Sequence, residues 1–331
     1  MPKECIHWIV ARRTADLLRG GEFEPALKSA RAALLLGAVA HDALFYLSPA
    51  RQRRLGDLQD VLHGVEGEDT YALPRMLLEE LRENGPIRPT ELVSAKIAFL
   101  TGLVTHIHAD AALHPLVYHH SGNYYAPRPE DRTRAVQSHR ALETVMDLAA
   151  VSGPVELRET TLFGLVRDLG GFSAAARLLP AARLAVTAGT APEELLRQYT
   201  LALRVFAVFR TLTTCAPLAD LLYVLRRALP APLREIAALF YSSGLRRRVS
   251  LASGPIVYAL PTEGSLCSAT LDGLMDRAAN CAADVLRGWE GALFRGEELP
   301  AAASGPSLDT GRVGTPVRAS RHFAPRPLVP F

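Results

Sequence analysis

Lysine is nearly absent from this chain of 331 residues: Lys3, Lys28 and Lys96 stand among 37 basic residues, and the rest are arginine. Arginine pairs well with phosphate, but a compositional bias of the genome accounts for the same count. A net charge of +3 gives no overall field from which to name a partner. Cysteine is scarce too. Cys5, Cys215, Cys267 and Cys281 lie far apart with no CxxC spacing, which excludes a paired-thiol motif and fits reduced thiols. The opening MPKECIHW lacks the apolar core of a secretory signal, so the expected location is the cytoplasm. Clean apolar runs are missing as well. Residues 32–47 are broken by His41 and Asp42, and 199–225 by Arg204, Arg210 and Asp220, short of the roughly 18 residues of a membrane span. No repeat of fixed period is present.

What remains is an ordinary globular composition, 49% apolar and 21% charged, in a length that suits one large or two ordinary domains. Apolar residues recur at three- and four-residue spacing with leucine and alanine dominant, so the expected fold class is all-α. Helices are expected near 5–19, 25–47, 57–64, 71–83, 90–120 and 129–151, the fifth preceded by Pro86 and Pro89 and capped by Thr90. Gly153-Pro154 marks a boundary. Beyond it helices are expected near 159–169, 172–188, 192–214, 216–229, 231–242 and 265–292, with IVYAL at 256–260 extended. The expected organisation is a metal-binding helical domain over 1–153 and a helical extension packed on it over 154–295. From about 296 the chain turns to Pro, Gly, Ala and Ser, and 296–331 is expected as a disordered tail.

Histidine is concentrated where chemistry would need it. Nine of ten histidines lie between His7 and His139, and only His322 lies beyond. In AFLTGLVTHIHADAALHPLVYHH, His106, Asp110 and His114 fall at i, i+4 and i+8. Each step of four rises about 6 Å and turns about 40°, giving a stripe roughly 12 Å long that suits two or three ions better than one. Imidazole and carboxylate are ligands that zinc prefers. SHRALE repeats the device with His139 and Glu143, on a helix that a short loop lets pack antiparallel against the first. Asp42, in GAVAHDALFY, sits in an apolar stretch where an unpartnered carboxylate is costly. His63 precedes a glycine at an expected helix end, and His7 lies among apolar neighbours on the first helix.

Taken singly, each of these has a plainer explanation. A lone buried histidine is usually a satisfied core residue, a buried aspartate usually a cap or ion-pair partner, and one H-x3-D or H-x3-E arises by chance on solvated faces. The combination favours metal, since each ligand lowers the cost of the next through the shared cation. His108 points away from the stripe and reads as surface or packing. His119 and His120 read as solvated at a helix end. For His41 a role behind the ligands is the most the sequence supports. The stripe Leu201, Val205, Phe206, Val208, Phe209 and Leu212 reads as core packing, with a membrane-facing wall as the alternative.

These fragments, in this order, resemble the bacterial zinc-dependent phospholipase C family, whose catalytic region also occurs in GPI-specific phospholipase D. The resemblance covers roughly residues 5–150, with a faint echo near 258–292. It implies a multi-helix bundle of the phospholipase C type. It implies one zinc on Asp42, His63, His106 and Asp110, and a second on His114, His139 and Glu143. A third would share Asp110 and use His7. The chain departs from the family pattern at that third ion: it opens Met-Pro with six residues before His7, so Cys5 or the N-terminal amine is the expected substitute donor. Asp42 is the implied base for the attacking water.

The implied activity is hydrolysis of a phospholipid head-group phosphodiester, or of another phosphodiester, by metal-activated water. Peripheral membrane contact is compatible with it, and no nucleic acid is expected as a partner. The alternatives are a zinc nuclease or nucleotidase of related site design, to which the runs Arg51–Arg54 and Arg246–Arg248 would lend phosphate contacts, and a non-catalytic protein that zinc holds together.

Overall fold

The computed structural model describes residues 3–83, 90–153, 155–299 and 303–331. Pro86, Pro89 and Pro154, used above as helix and boundary markers, lie outside the described residues. The fold is all-α. Its one sheet among the described residues is a two-stranded hairpin, Ile256–Ala259 antiparallel to Leu266–Ala269 with Tyr258 opposite Cys267. The extended expectation for IVYAL therefore holds, while the helix expected from 265 begins later, as Leu271–Phe294.

The organising element is the helix Glu91–Ser121, apolar on all sides and wrapped by neighbours. Thr90 caps it as expected, its hydroxyl accepting from Val93 N–H at 3.2 Å. Around it pack Glu4–Leu17, Glu24–Ser29, Arg31–Gly37, Ala72–Glu83, Pro129–Ala150 and Leu271–Phe294. By length and apolarity this helix alone could pass for a membrane span, but 67% of that stretch is buried against the rest of the chain.

Two expected helices are broken. Residues 172–188 divide into Phe172–Ala176 and Ala181–Thr187, with Pro180 preceding the second. Residues 25–47 divide into Glu24–Ser29, Arg31–Gly37 and a 3₁₀ turn, His41–Tyr46. Side chains from other elements take the carbonyls at the second break: His106 Nδ1–H donates to Ala38 O at 2.9 Å and Tyr199 O–H to Ala40 O at 3.1 Å. Tertiary partners thus replace the helical bonds that propensity alone would have continued.

The disordered tail is a further correction. Residues 303–331 are packed on the helices, with Ser307, Leu308 and Val329 fully buried. Their backbone bonds run to helix ends: Leu308 N–H to His63 O at 2.9 Å, Ala324 N–H to His119 O at 2.7 Å and Leu328 N–H to His120 O at 3.0 Å. The composition is that of a chain without a core of its own, but here the core is borrowed.

Candidate metal centre

The site begins with two glycines. Gly37, ending one helix, faces Gly102 on the central helix so closely that a Cβ on Gly102 would lie 2.3 Å from Leu34 O and 2.6 Å from Ala38 N. Only hydrogen at both positions allows this crossing. The approach brings Ala38 O to the His106 ring and turns Asp42, on the following 3₁₀ turn, toward the central helix. His63 arrives at the end of Leu58–His63, which Gly64 terminates at φ +65° as expected from the sequence.

Two groups of donors result. Asp42, His63, His106 and Asp110 form one, and His114, His139 and Glu143 the other. Within each group, one ligand atom per residue lies within 4.8 Å of all the others, and all seven residues are buried. Three of the imidazoles are fixed from behind: His63 Nδ1–H donates to Gln59 O at 2.6 Å, His106 Nδ1–H to Ala38 O at 2.9 Å and His114 Nδ1–H to Leu308 O at 2.8 Å. A carbonyl can only accept, so the proton sits on Nδ1 and, in the neutral ring, Nε2 presents a lone pair.

Those lone pairs face carboxylates. His106 Nε2 lies 3.3 Å from Asp42 Oδ1 and 3.2 Å from Asp110 Oδ2, His63 Nε2 3.3 Å from Asp42 Oδ1, and His114 Nε2 3.5 Å from Glu143 Oε1. At His106, His114 and both Asp110 oxygens the geometry is not that of a hydrogen bond among the described residues. Lone pair against lone pair in a dry interior is unfavourable unless a proton or cation lies between. Neighbouring ligands of a tetrahedral ion with bonds of 2.0–2.1 Å stand about 3.3 Å apart, the spacing found here. The donor set fits a divalent cation.

His7 and His41 flank this arrangement. The His106 ring is sandwiched between them, at 4.3 Å from His7 and 4.6 Å from His41, each nearly parallel. His7 Nε2 is 3.3 Å from Asp110 Oδ1, so Asp110 lies between His7 and His106, as a shared carboxylate would. Cys5, an expected substitute donor there, is instead engaged by Arg210, whose guanidinium lies 3.4 Å from its sulfur. The N-terminal amine, the other expected substitute, lies outside the described residues. Asp147 holds the first helix in place, accepting from Ile6 N–H at 2.8 Å and from Tyr241 O–H at 2.6 Å. Burial and the neighbouring Glu4 push its carboxyl above the usual range.

The sequence reading missed the C-terminal strap. Leu308 donates its N–H to the His63 carbonyl and accepts from the His114 ring, so one residue touches both donor groups from behind. Asp309 follows, 3.4 Å from His114 Nδ1 and accepting from Tyr118 O–H at 3.0 Å. The strap passes over the central helix at Pro115, which has no N–H for Ala111 O. Gly311, at φ +68°, packs against that carbonyl so tightly that a Cβ would sit 2.5 Å from it. The one signal in the sequence was Pro115 inside a helix, marking a backbone carbonyl that something must approach. His119 and His120, expected to be solvated, are also engaged: His119 Nδ1–H donates to His322 O of this strap at 2.8 Å and His120 Nε2–H to Val257 O of the hairpin at 3.0 Å. His108 packs on Tyr71, 2.8 Å from its hydroxyl.

Both groups open on one cleft of about 640 Å³. Asp42, His63, His139 and Glu143 line it, with Phe45, Tyr46, Tyr124 and Phe209 as aromatic walls and Lys3 and Arg140 as cations. His106, Asp110 and His114 stay behind, fully buried.

Residues 6–167 match the family model of zinc-dependent phospholipase C. That stretch, just under half of the chain, is similar to the family. The matched region spans both donor groups and ends within the helix Leu162–Asp168, before the later helices and the strap. No curated protein and no solved structure matches the chain.

Proposed function

We propose that this chain is a phosphodiesterase that uses zinc to hydrolyse the head-group phosphodiester of a phospholipid. The observation that carries the reading is a pair of buried donor groups opening together on one cleft. On this reading Asp42, His63, His106 and Asp110 hold one ion and His114, His139 and Glu143 a second, with Asp110 and His7 contributing to a third. Zinc bound there would supply a water of near-neutral pKa and positive charge around the phosphate oxygens.

The chain's own residues do the rest. Asp42, on the cleft wall, takes the proton of the attacking water. Lys3 and Arg140 face the cleft and suit a phosphate, while Phe45, Tyr46 and Phe209 exclude water around its substituents. The arginine runs at 51–54 and 246–248 lie outside the cleft lining, which gives a polynucleotide no track to the donors and counts against a nuclease. An open cleft likewise counts against a closed, purely structural metal site.

Metal analysis of the purified protein and turnover of phosphatidylcholine and of a chromogenic phosphorylcholine ester test the reading. The expected result is at least two zinc ions per chain and hydrolysis that Asp110→Asn abolishes. Zinc-loaded protein inert on both substrates, or cleavage of single-stranded DNA dependent on His114, refutes it.

A further inference from the structure

The apolar stripe on Pro192–Thr213 is split by the fold. Phe206 is buried as core, but Val205, Val208 and Leu212, spaced three and four apart on one face, are exposed. The next helix, Ala216–Leu225, is apolar along nearly its whole length yet buries only Ala219. Its Leu221 and Val224, with Leu233 on Ala231–Ala237, continue the exposed set, and these six side chains are between 39% and 73% exposed. The first two helices meet at 78°, and as a bent pair they are apolar enough to count as a broken membrane span. A soluble helix does not ordinarily present such a surface to water.

We propose that this face docks on a phospholipid bilayer carrying anionic lipid. Two observations select that occupant. Arginine supplies the charge: Arg204 beside Val205 and Arg227 after the apolar helix are exposed, while Arg226 and Arg234 are half-buried, donating to Tyr223 O and Leu229 O. Of the four acids on these helices, Asp220 accepts from Ser243 N–H at 2.6 Å, Glu235 pairs with Arg140 at 3.7 Å and Glu194 with Arg197, and Glu193 lies in the first turn of Pro192–Thr213, three turns from Val205. Apolar side chains rimmed by cations suit the boundary between acyl chains and anionic head groups. The second observation is continuity with the cleft. Phe209, between Val208 and Leu212 in the chain, and Ile236, next to Leu233's helical face, both line the cleft that holds Asp42 and His63. A lipid surface seated on the face meets the cleft mouth directly.

The inference rests on the cleft being a phospholipid-processing site, and the test separates the two. Full-length protein is sedimented with vesicles of phosphatidylcholine alone and of phosphatidylcholine with a minority of phosphatidylglycerol. In parallel it is assayed on a soluble, monomeric phosphorylcholine ester. The double variant Leu221→Glu, Val224→Glu changes exposed residues outside the cleft lining, and Arg227→Glu serves as a second, milder change. The expected result is stronger binding to the anionic vesicles that weakens with salt, and a roughly 100-fold loss in the double variant. Arg227→Glu reduces only the anionic preference, and turnover of the soluble ester is unchanged in both. Wild type that ignores vesicles, or a double variant that binds as wild type does, overturns the proposal. So does a wild-type dimer in sedimentation that the double variant dissolves while vesicle binding persists, because the face then belongs to a second copy. Vesicle binding without turnover of the soluble ester sinks the catalytic reading and leaves the docking face standing.

Discussion

Gly102→Ala is the smallest change that tests how the fold makes the site. The added methyl would lie 2.3 Å from Leu34 O and 2.6 Å from Ala38 N, both backbone atoms of the facing segment, so no side chain can turn aside. Restoring van der Waals contact requires the two backbones to part by roughly 1 Å. Overpacking of this kind costs about 1–3 kcal/mol, read as a shift in the urea midpoint at constant slope. The same parting would stretch the bond from His106 Nδ1–H to Ala38 O, now 2.9 Å, beyond hydrogen-bonding range. His106 then loses both its fixed tautomer and its distance to Asp42. Loss of such a partner behind a ligand weakens metal about 10–100-fold. Zinc competition against a chromogenic chelator, run beside the urea titration, measures both effects. A variant that is less stable but holds zinc as tightly as wild type refutes the coupling, and one unchanged in both refutes the close crossing itself.

Asp42→Asn keeps the shape of the side chain but not its basicity. Turnover should fall by about 10²–10⁴-fold with weakened zinc, and full activity at full zinc content rules out its proposed role. Gly311→Ala puts a Cβ 2.5 Å from Ala111 O at φ +68°, costing about 2–4 kcal/mol. Limited proteolysis should then cut the segment after 303 faster than in wild type, and equal rates would mean that the strap is not held there. Asp147→Ala removes a buried acceptor from Cys5 N–H, Ile6 N–H and Tyr241 O–H, leaving Ile6 only Lys3 O at 3.2 Å and Tyr241 only Glu4 Oε2 at 3.3 Å. It should destabilise by about 3 kcal/mol in urea, and a loss under 1 kcal/mol would show that the first helix is anchored elsewhere.

What the sequence determined alone is what a single helix's period can carry. His106, Asp110 and His114 share a face because four residues are nearly one turn, and His139 and Glu143 share another for the same reason. Thr90 as a cap and Gly64 as a stop are equally local, since each acts on the backbone of its own neighbours. Tertiary structure decided everything that depends on what lies opposite. Leu308 reaches His63 and His114 through its N–H and C=O, groups that every residue but proline carries, so no letter in the sequence marks it. The break before Asp42 exists because His106 and Tyr199, distant in the chain, take the carbonyls a continued helix would have used. On the helix Pro192–Thr213, Phe206 and Val208 have the same apolar chemistry, and only packing makes one core and leaves the other facing out.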